Sequence, residues 1–198
     1  MRIVDTHCHL YSKDFDEDRA EVIARSIRMG VDRILLPNVD LDTVDGMHDL
    51  MRDYPEVCYG MIGLHPCDVG EDWDRELSVL LNLADTHTYC AVGEIGIDLY
   101  WDKTFLIQQQ QAFKTQIQWA KEKNLPIVIH CRDAFDEIFE ILETEKDDKL
   151  YGIFHCFSGN IEQAKKAISY NMKLGIGGVV TFKNGKIDQF LNQIDLKH

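Results

Sequence analysis

No apolar run in the sequence approaches the ~20 residues that a membrane-crossing helix needs. No C-x-x-C pair occurs among its six cysteines, which removes the zinc-ribbon and thioredoxin-type readings. Prolines number only four, and no Pro-, Gly- or Ser-rich stretch marks a linker, so one domain over residues 1–198 is expected. Positive charge is in short supply: 21 Lys and Arg stand against 34 Asp and Glu, a net charge of −13. Broad electrostatic binding of nucleic acid, which rests on Lys and Arg against phosphates, is therefore not expected. An acidic enzyme whose bound cations supply local positive charge is still allowed. The first strand starts at Ile3, leaving no room for a leader peptide, and a cytoplasmic protein is expected.

What the sequence does have is an alternation of strands and helices. Ile3 to Asp5 reads as a short buried strand, and an amphipathic helix follows over Phe15 to Met29. Strands are then expected over Arg33 to Pro37, Val57 to Leu64, Cys90 to Ile95, Pro126 to His130, Tyr151 to His155 and Lys173 to Gly177. Helices are expected over Leu41 to Asp53, Glu71 to Ala84, Phe105 to Lys123, Asp133 to Glu145 and Ile161 to Ser169, with a last short one over Ile187 to Ile194. In the longest helix Phe113, Ile117 and Ala120 form the inner stripe. Seven such units imply an α/β protein with a parallel sheet and helices outside it. An open doubly wound sheet and a (β/α)8 barrel both fit this pattern.

Chemistry-bearing residues decide between them. Asp5-Thr6-His7-Cys8-His9 ends the first strand, and alternation puts His7 and His9 on one face. Glu94 ends the fourth strand between Gly93 and Gly96, His130 the fifth and His155 the sixth. A lone strand histidine is usually a satisfied core residue, but five such groups at strand ends converge only if the sheet curls. A barrel brings every strand's C-terminal end to one rim. Five ligands exceed one tetrahedral zinc site and suit two divalent ions ~3.5–4 Å apart that share a carboxylate. Glu94 is the only carboxylate of the five. His7 and His9 are expected to hold one ion, and His130 and His155 the other. Four imidazoles favour Zn²⁺, whereas the carboxylate favours Mg²⁺ or Mn²⁺. By the same alternation Cys8, Cys131 and Cys156 face away from the histidines and read as small buried hydrophobes, reduced in the cytosol. His48, His87 and His198 read as surface residues.

Several stretches together resemble the TatD family of metal-dependent hydrolases. They are Asp5-Thr6-His7-Cys8-His9-Leu10, Gly63-Leu64-His65-Pro66, Gly93-Glu94-Ile95-Gly96-Ile97-Asp98, Gln110-x-x-Phe113-x-x-Gln116, Leu125-Pro126 to His130-x-Arg132-Asp133-Ala134 and His155-Cys156-Phe157-Ser158-Gly159. The resemblance runs in the family's order from end to end of the chain. It implies a distorted (β/α)8 TIM barrel of the amidohydrolase superfamily, and a divalent-metal-dependent deoxyribonuclease acting 3′ to 5′ on DNA ends. It assigns His7 and His9 to the first metal, Glu94 to both, and His130 and His155 to the second. His65 is a candidate for a substrate phosphate or a turn residue before Pro66. Arg132 is a candidate phosphate clamp or the partner of an acidic neighbour. Asp98 is either an outer partner of a metal ligand or a turn cap.

In one place the sequence departs from that family. Its members continue into an eighth strand with a Glu-Thr-Asp motif, whose Asp binds the first metal. This chain reaches Asp195-Leu196-Lys197-His198 where that strand is expected. The expectation is a barrel lacking strand eight, with a seam between the first and seventh strands through which chains can associate. The metal on His130, His155 and Glu94 is then expected to be the better held. Two other functions use the same ligands: hydrolysis of carboxyl esters, amides, lactones or aminoacyl-tRNA, and a metal-binding remnant without catalysis. No protein partner and no membrane are implied.

Overall fold

Among the described residues seven strands, all parallel, run in chain order through two sheets. The computed structural model describes residues 2–182 and 187–198. The first sheet is β1 (Ile3–Asp5), β2 (Val31–Leu36) and β3 (Cys58–Gly60); the second is β4 (Val92–Asp98), β5 (Ile127–Arg132), β6 (Gly152–Phe154) and β7 (Met172–Leu174). Among the described residues one isolated strand bridge, Ile62 to Val92, lies between them. This is why the expected strand over Val57 to Leu64 is regular only to Gly60.

Six α-helices occur among the described residues: α1 (Arg19–Arg28), α2 (Leu41–Asp53), α3 (Trp73–Leu83), α4 (Leu106–Lys123), α5 (Phe135–Glu145) and α6 (Ile161–Ser169). Their ends follow from local chemistry. Asp40 and Thr43 form a reciprocal cap at the start of α2, and Asn160 and Gln163 do the same for α6, each satisfying amides the helix leaves unpaired. The expected first helix starts late, at Arg19, because Lys13–Phe15 forms a separate 3-10 turn. The expected helix over Ile187 to Ile194 is reduced to a 3-10 turn at Leu191–Gln193. No helix among the described residues is long and apolar enough to cross a membrane.

The two sheets carry separate cores. One is built on β1 to β3 around Ile34, Leu36, Met47 and Leu80. The other is built on β4 to β7 around Ile95, Phe113, Ile129 and Phe154. The inner stripe of α4 is as expected, with Phe113, Ile117 and Ala120 all buried. Between the sheets, Met61, Ala91 and Val128 meet on the inner face. β1 is not the buried strand the sequence suggests: Ile3 is 38% exposed and Val4 45%. The reason is position. β1 pairs only with β2 and forms one edge.

β7 forms the other edge, and among the described residues it is not bonded to β1 and no eighth strand follows it. Beside it the Leu174 amide donates to the His198 carbonyl at 2.8 Å. A cavity of ≈ 310 Å³ is lined from both edges, by Thr6 and His7 on one side and Lys173 and Gly175 on the other. The cysteines differ from expectation too. All six are free thiols, but only Cys58 is buried; Cys8, Cys131 and Cys156 are half-buried and Cys67 is exposed.

Candidate metal centre

Glu94 lies within β4 rather than at its end, and is only 3% exposed. Its backbone is held from β2's exit: the Asn38 amide donates to the Gly93 carbonyl and the Glu94 amide donates to the Asn38 carbonyl, each at 3.1 Å. Gly96 lets β5 come close, since a Cβ there would lie 2.0 Å from the His130 carbonyl oxygen at φ +144°. The two carboxylate oxygens face different imidazoles. Oε2 lies 3.1 Å from His7 Nε2 and 3.8 Å from His9 Nε2. Oε1 lies 3.1 Å from His130 Nδ1. Two groups of ligand atoms therefore share Glu94: His7, His9 and Glu94, and His65, Glu94 and His130, the atoms of each within 4.8 Å of one another.

His155 is not in the second group. Its ring lies flat on His7, centroids 3.4 Å apart and planes 11° from parallel. His65 is there in its place, its ring 4.5 Å from that of His130. Its side chain is 13% exposed. Arg132 makes no ion pair with an acidic neighbour among the described residues; its guanidinium lies 3.6 Å over the Tyr100 ring.

Hydrogen bonds fix which nitrogens carry protons. Tyr11 donates its hydroxyl proton to the Pro37 carbonyl, so its oxygen accepts from His9 Nδ1 at 2.7 Å. His9 Nε2 is then left with a lone pair, facing a Glu94 oxygen that also carries lone pairs. Two acceptors face to face repel, and a shared cation relieves them. His7 Nδ1 is buried without any partner. Asp98 Oδ2 takes His130 Nε2 at 2.8 Å, which points Nδ1 at Glu94 in the way outer carboxylates orient metal-binding histidines. At His65 the Cys67 amide donates to Nδ1 at 3.2 Å, so the proton of the neutral ring is on Nε2.

Charge follows the same pattern. Burial by itself pushes Glu94 up, but hydrogen bonds from His130 and His7 outweigh it and hold the carboxyl well below the usual range. Burial pushes His130 down, and Glu94 and Asp98 more than reverse it. Burial, with His7 adding to it, pushes His155 down to about 4. Burial takes His65 to about 4 as well, against the pull of Glu94. Both rings are thus neutral near pH 7, the form that ligates a metal. An ionised carboxylate among imidazoles, one orphaned nitrogen and two facing acceptors fit divalent cations.

Several supports are not evident in the sequence. Asn38 is fully buried; its side chain donates to the carbonyls of Gly63 and Asp40 and accepts from Thr43. Gln116 on α4 pairs with both backbone groups of Leu64, at 2.8 and 3.2 Å, and so holds the segment carrying His65. Gln109 accepts from the Asp98 amide at 2.9 Å. For the two glutamines a signal exists, because both fall on the inner stripe of α4. Asp98 combines the two roles considered for it, since Oδ1 also accepts the amides of Tyr100 and Trp101 at 2.9 and 3.3 Å. His48 is not a free surface residue: Nε2 lies 2.6 Å from the Tyr89 hydroxyl and the ring stacks on His87.

Parallel strands that bring half-buried histidines around one shared, buried carboxylate fit a metal-dependent hydrolase. The model of the family described as TatD related DNase matches residues 4–198, and the chain belongs to that family. It is 38% identical to YabD of Bacillus subtilis, named an uncharacterized metal-dependent hydrolase, over 93% of this chain and 72% of that protein. It is 31% identical to the 3′-5′ ssDNA/RNA exonuclease TatD of Salmonella typhimurium, over 89% of this chain and 67% of that one. The crystal structure of YJJV, a TatD homologue from Escherichia coli, superposes with a TM-score of 0.90 at 28% identity, over 98% of this chain and 75% of that one.

Proposed function

We propose that the protein hydrolyses phosphodiester bonds at the ends of single-stranded DNA, with two divalent cations. The observation that carries this is the division of Glu94 between two groups of imidazoles, one on each carboxylate oxygen. Cations bound there would supply an activated water and charge stabilisation for an in-line displacement at phosphorus. His7, His9 and Glu94 would hold one, and Glu94 and His130 the other, with His155 stacked on His7 beside them. Asp98 keeps His130 in the tautomer that points Nδ1 inward. His65 presents an Nε2 proton beside this cluster and donates it as a hydrogen bond to a phosphate oxygen, a role its Nδ1 contact with the Cys67 amide leaves open. Arg132 adds the guanidinium for a neighbouring phosphate. The relative named as a 3′-5′ exonuclease supports the same polarity here.

The test is a panel of substrates with the purified protein: end-labelled single-stranded DNA on either end, a carboxyl ester, a lactone and an aminoacyl-tRNA. The expected result is release of 5′-mononucleotides from the 3′ end, abolished by chelation and restored by Mg²⁺, Mn²⁺ or Zn²⁺. Hydrolysis of the carboxyl substrates without DNA cleavage would overturn the nuclease reading and keep the metal-dependent hydrolase.

A further inference from the structure

Directly beyond the Asp98–His130 pair, the rim carries aromatic surface that the fold does not need. Trp101 is 71% exposed and Tyr100 53%. Their rings meet edge to face, centroids 4.8 Å apart and planes at 87°. The Arg132 guanidinium covers one ring, 3.6 Å from the Tyr100 centroid, and stands 5.3 Å from that of Trp101. Such rings normally bury their area, and here neither core includes them.

The group is also fixed in relation to the centre. Asp98 and Arg132 are register partners on β4 and β5. The carboxylate of Asp98 bonds His130 with one oxygen and the amides of Tyr100 and Trp101 with the other. One side chain thus positions both a histidine of the centre and the turn that presents the aromatics.

We infer that Tyr100, Trp101 and Arg132 form a nucleobase platform, on which the base next to the scissile phosphate stacks. The inference rests on the nuclease reading and names how that substrate is held. A π-face for the base and a cation for the backbone are what single-stranded nucleic acid takes, and stacking of this kind tolerates any base. In a chain of net charge −13 Lys and Arg contacts to phosphate are expected to be few, and stacking supplies part of the strand's affinity. A single platform near one strand end agrees with a small footprint.

The experiment measures binding without turnover. Metal-loaded protein is titrated with a hydrolysis-resistant phosphorothioate hexathymidylate, and with the same backbone lacking its two 3′-terminal bases, while tryptophan fluorescence is followed. The hexathymidylate is expected to quench the emission. The quench should vanish in Trp101→Leu and survive in Trp73→Phe. Trp101→Leu should weaken hexathymidylate about 10-fold, within the range of one stacked base, and Trp101→Phe should restore most of the affinity. Binding of the base-free end should not change with Trp101. Equal affinity of the wild type for both oligonucleotides, or equal weakening of both by Trp101→Leu, would overturn the platform. Base-dependent binding by a protein that cleaves no DNA would overturn the nuclease reading instead.

Discussion

His7 and His155 lie face to face, ring centroids 3.4 Å apart, although His7 follows the edge strand β1 of one sheet and His155 follows β6 of the other. Two rings stacked this closely join the β1 edge to the end of β6, where no strand pairing does. Replacing His155 by Ala should remove that contact and free His7. We expect divalent-ion content per chain to fall and affinity to drop about 10–100-fold, with the far-ultraviolet circular dichroism unchanged. Full metal content in His155→Ala would show that the stack is packing alone.

Glu94→Gln and His65→Ala should separate holding an ion from contacting the substrate. Glu94→Gln keeps the shape but removes the charge both groups share, so ion content and kcat/KM should fall together. His65→Ala should lose on the order of 10² in kcat/KM, as for a hydrogen-bond donor to a reacting oxygen, with ion content kept. Equal losses with ion content unchanged in both would count against the shared carboxylate.

Gln116 answers to both backbone groups of Leu64. Gln116→Leu leaves a buried donor and acceptor unpaired, each costing ~1–3 kcal/mol. The expected result is a lower urea midpoint at unchanged m-value, and a raised KM as the His65 segment loosens. An unchanged midpoint would mean that water replaces the glutamine.

Gly96 tolerates nothing larger. A Cβ there would sit 2.0 Å from the His130 carbonyl, at φ +144°. Overpacking and a left-handed backbone each cost ~1–3 kcal/mol. Gly96→Ala should express poorly or unfold well below the wild type, whereas Gly70→Ala, where nothing lies within 4 Å, should behave as wild type.

Much of the fold is legible in the sequence because strand and helix periods differ and because the ligands follow strands. His7, His9, Glu94 and His130 can be grouped from their positions along the chain alone. Membership of the second group cannot. His65 and His155 both follow strands, and only the curvature of the sheets decides that His65 meets His130 while His155 meets His7. The exposure of β1 is hidden because Ile3-Val4 reads the same in a central strand as at an edge. Asn38 is hidden because an asparagine after Pro37 looks like an ordinary turn residue, and its contacts come from Gly63 and Gly93, far along the chain.

The two sheets share one isolated strand bridge among the described residues, Ile62 to Val92, and the centre draws His7, His9 and His65 from one sheet's half and Glu94, His130 and His155 from the other. Bound cations would therefore act as a latch between the two halves, beside the contacts of Asn38 with Gly93 and Glu94 and of Gln116 with Leu64. Their free concentration becomes a variable of the folding equilibrium, adding RT ln(1 + [L]/Kd), or about 2.7 kcal/mol at a hundredfold excess over Kd. In calorimetry the protein should then melt as one transition when loaded. On chelation that transition should move to lower temperature, with the amides of Asn38 and Gly93 exchanging faster.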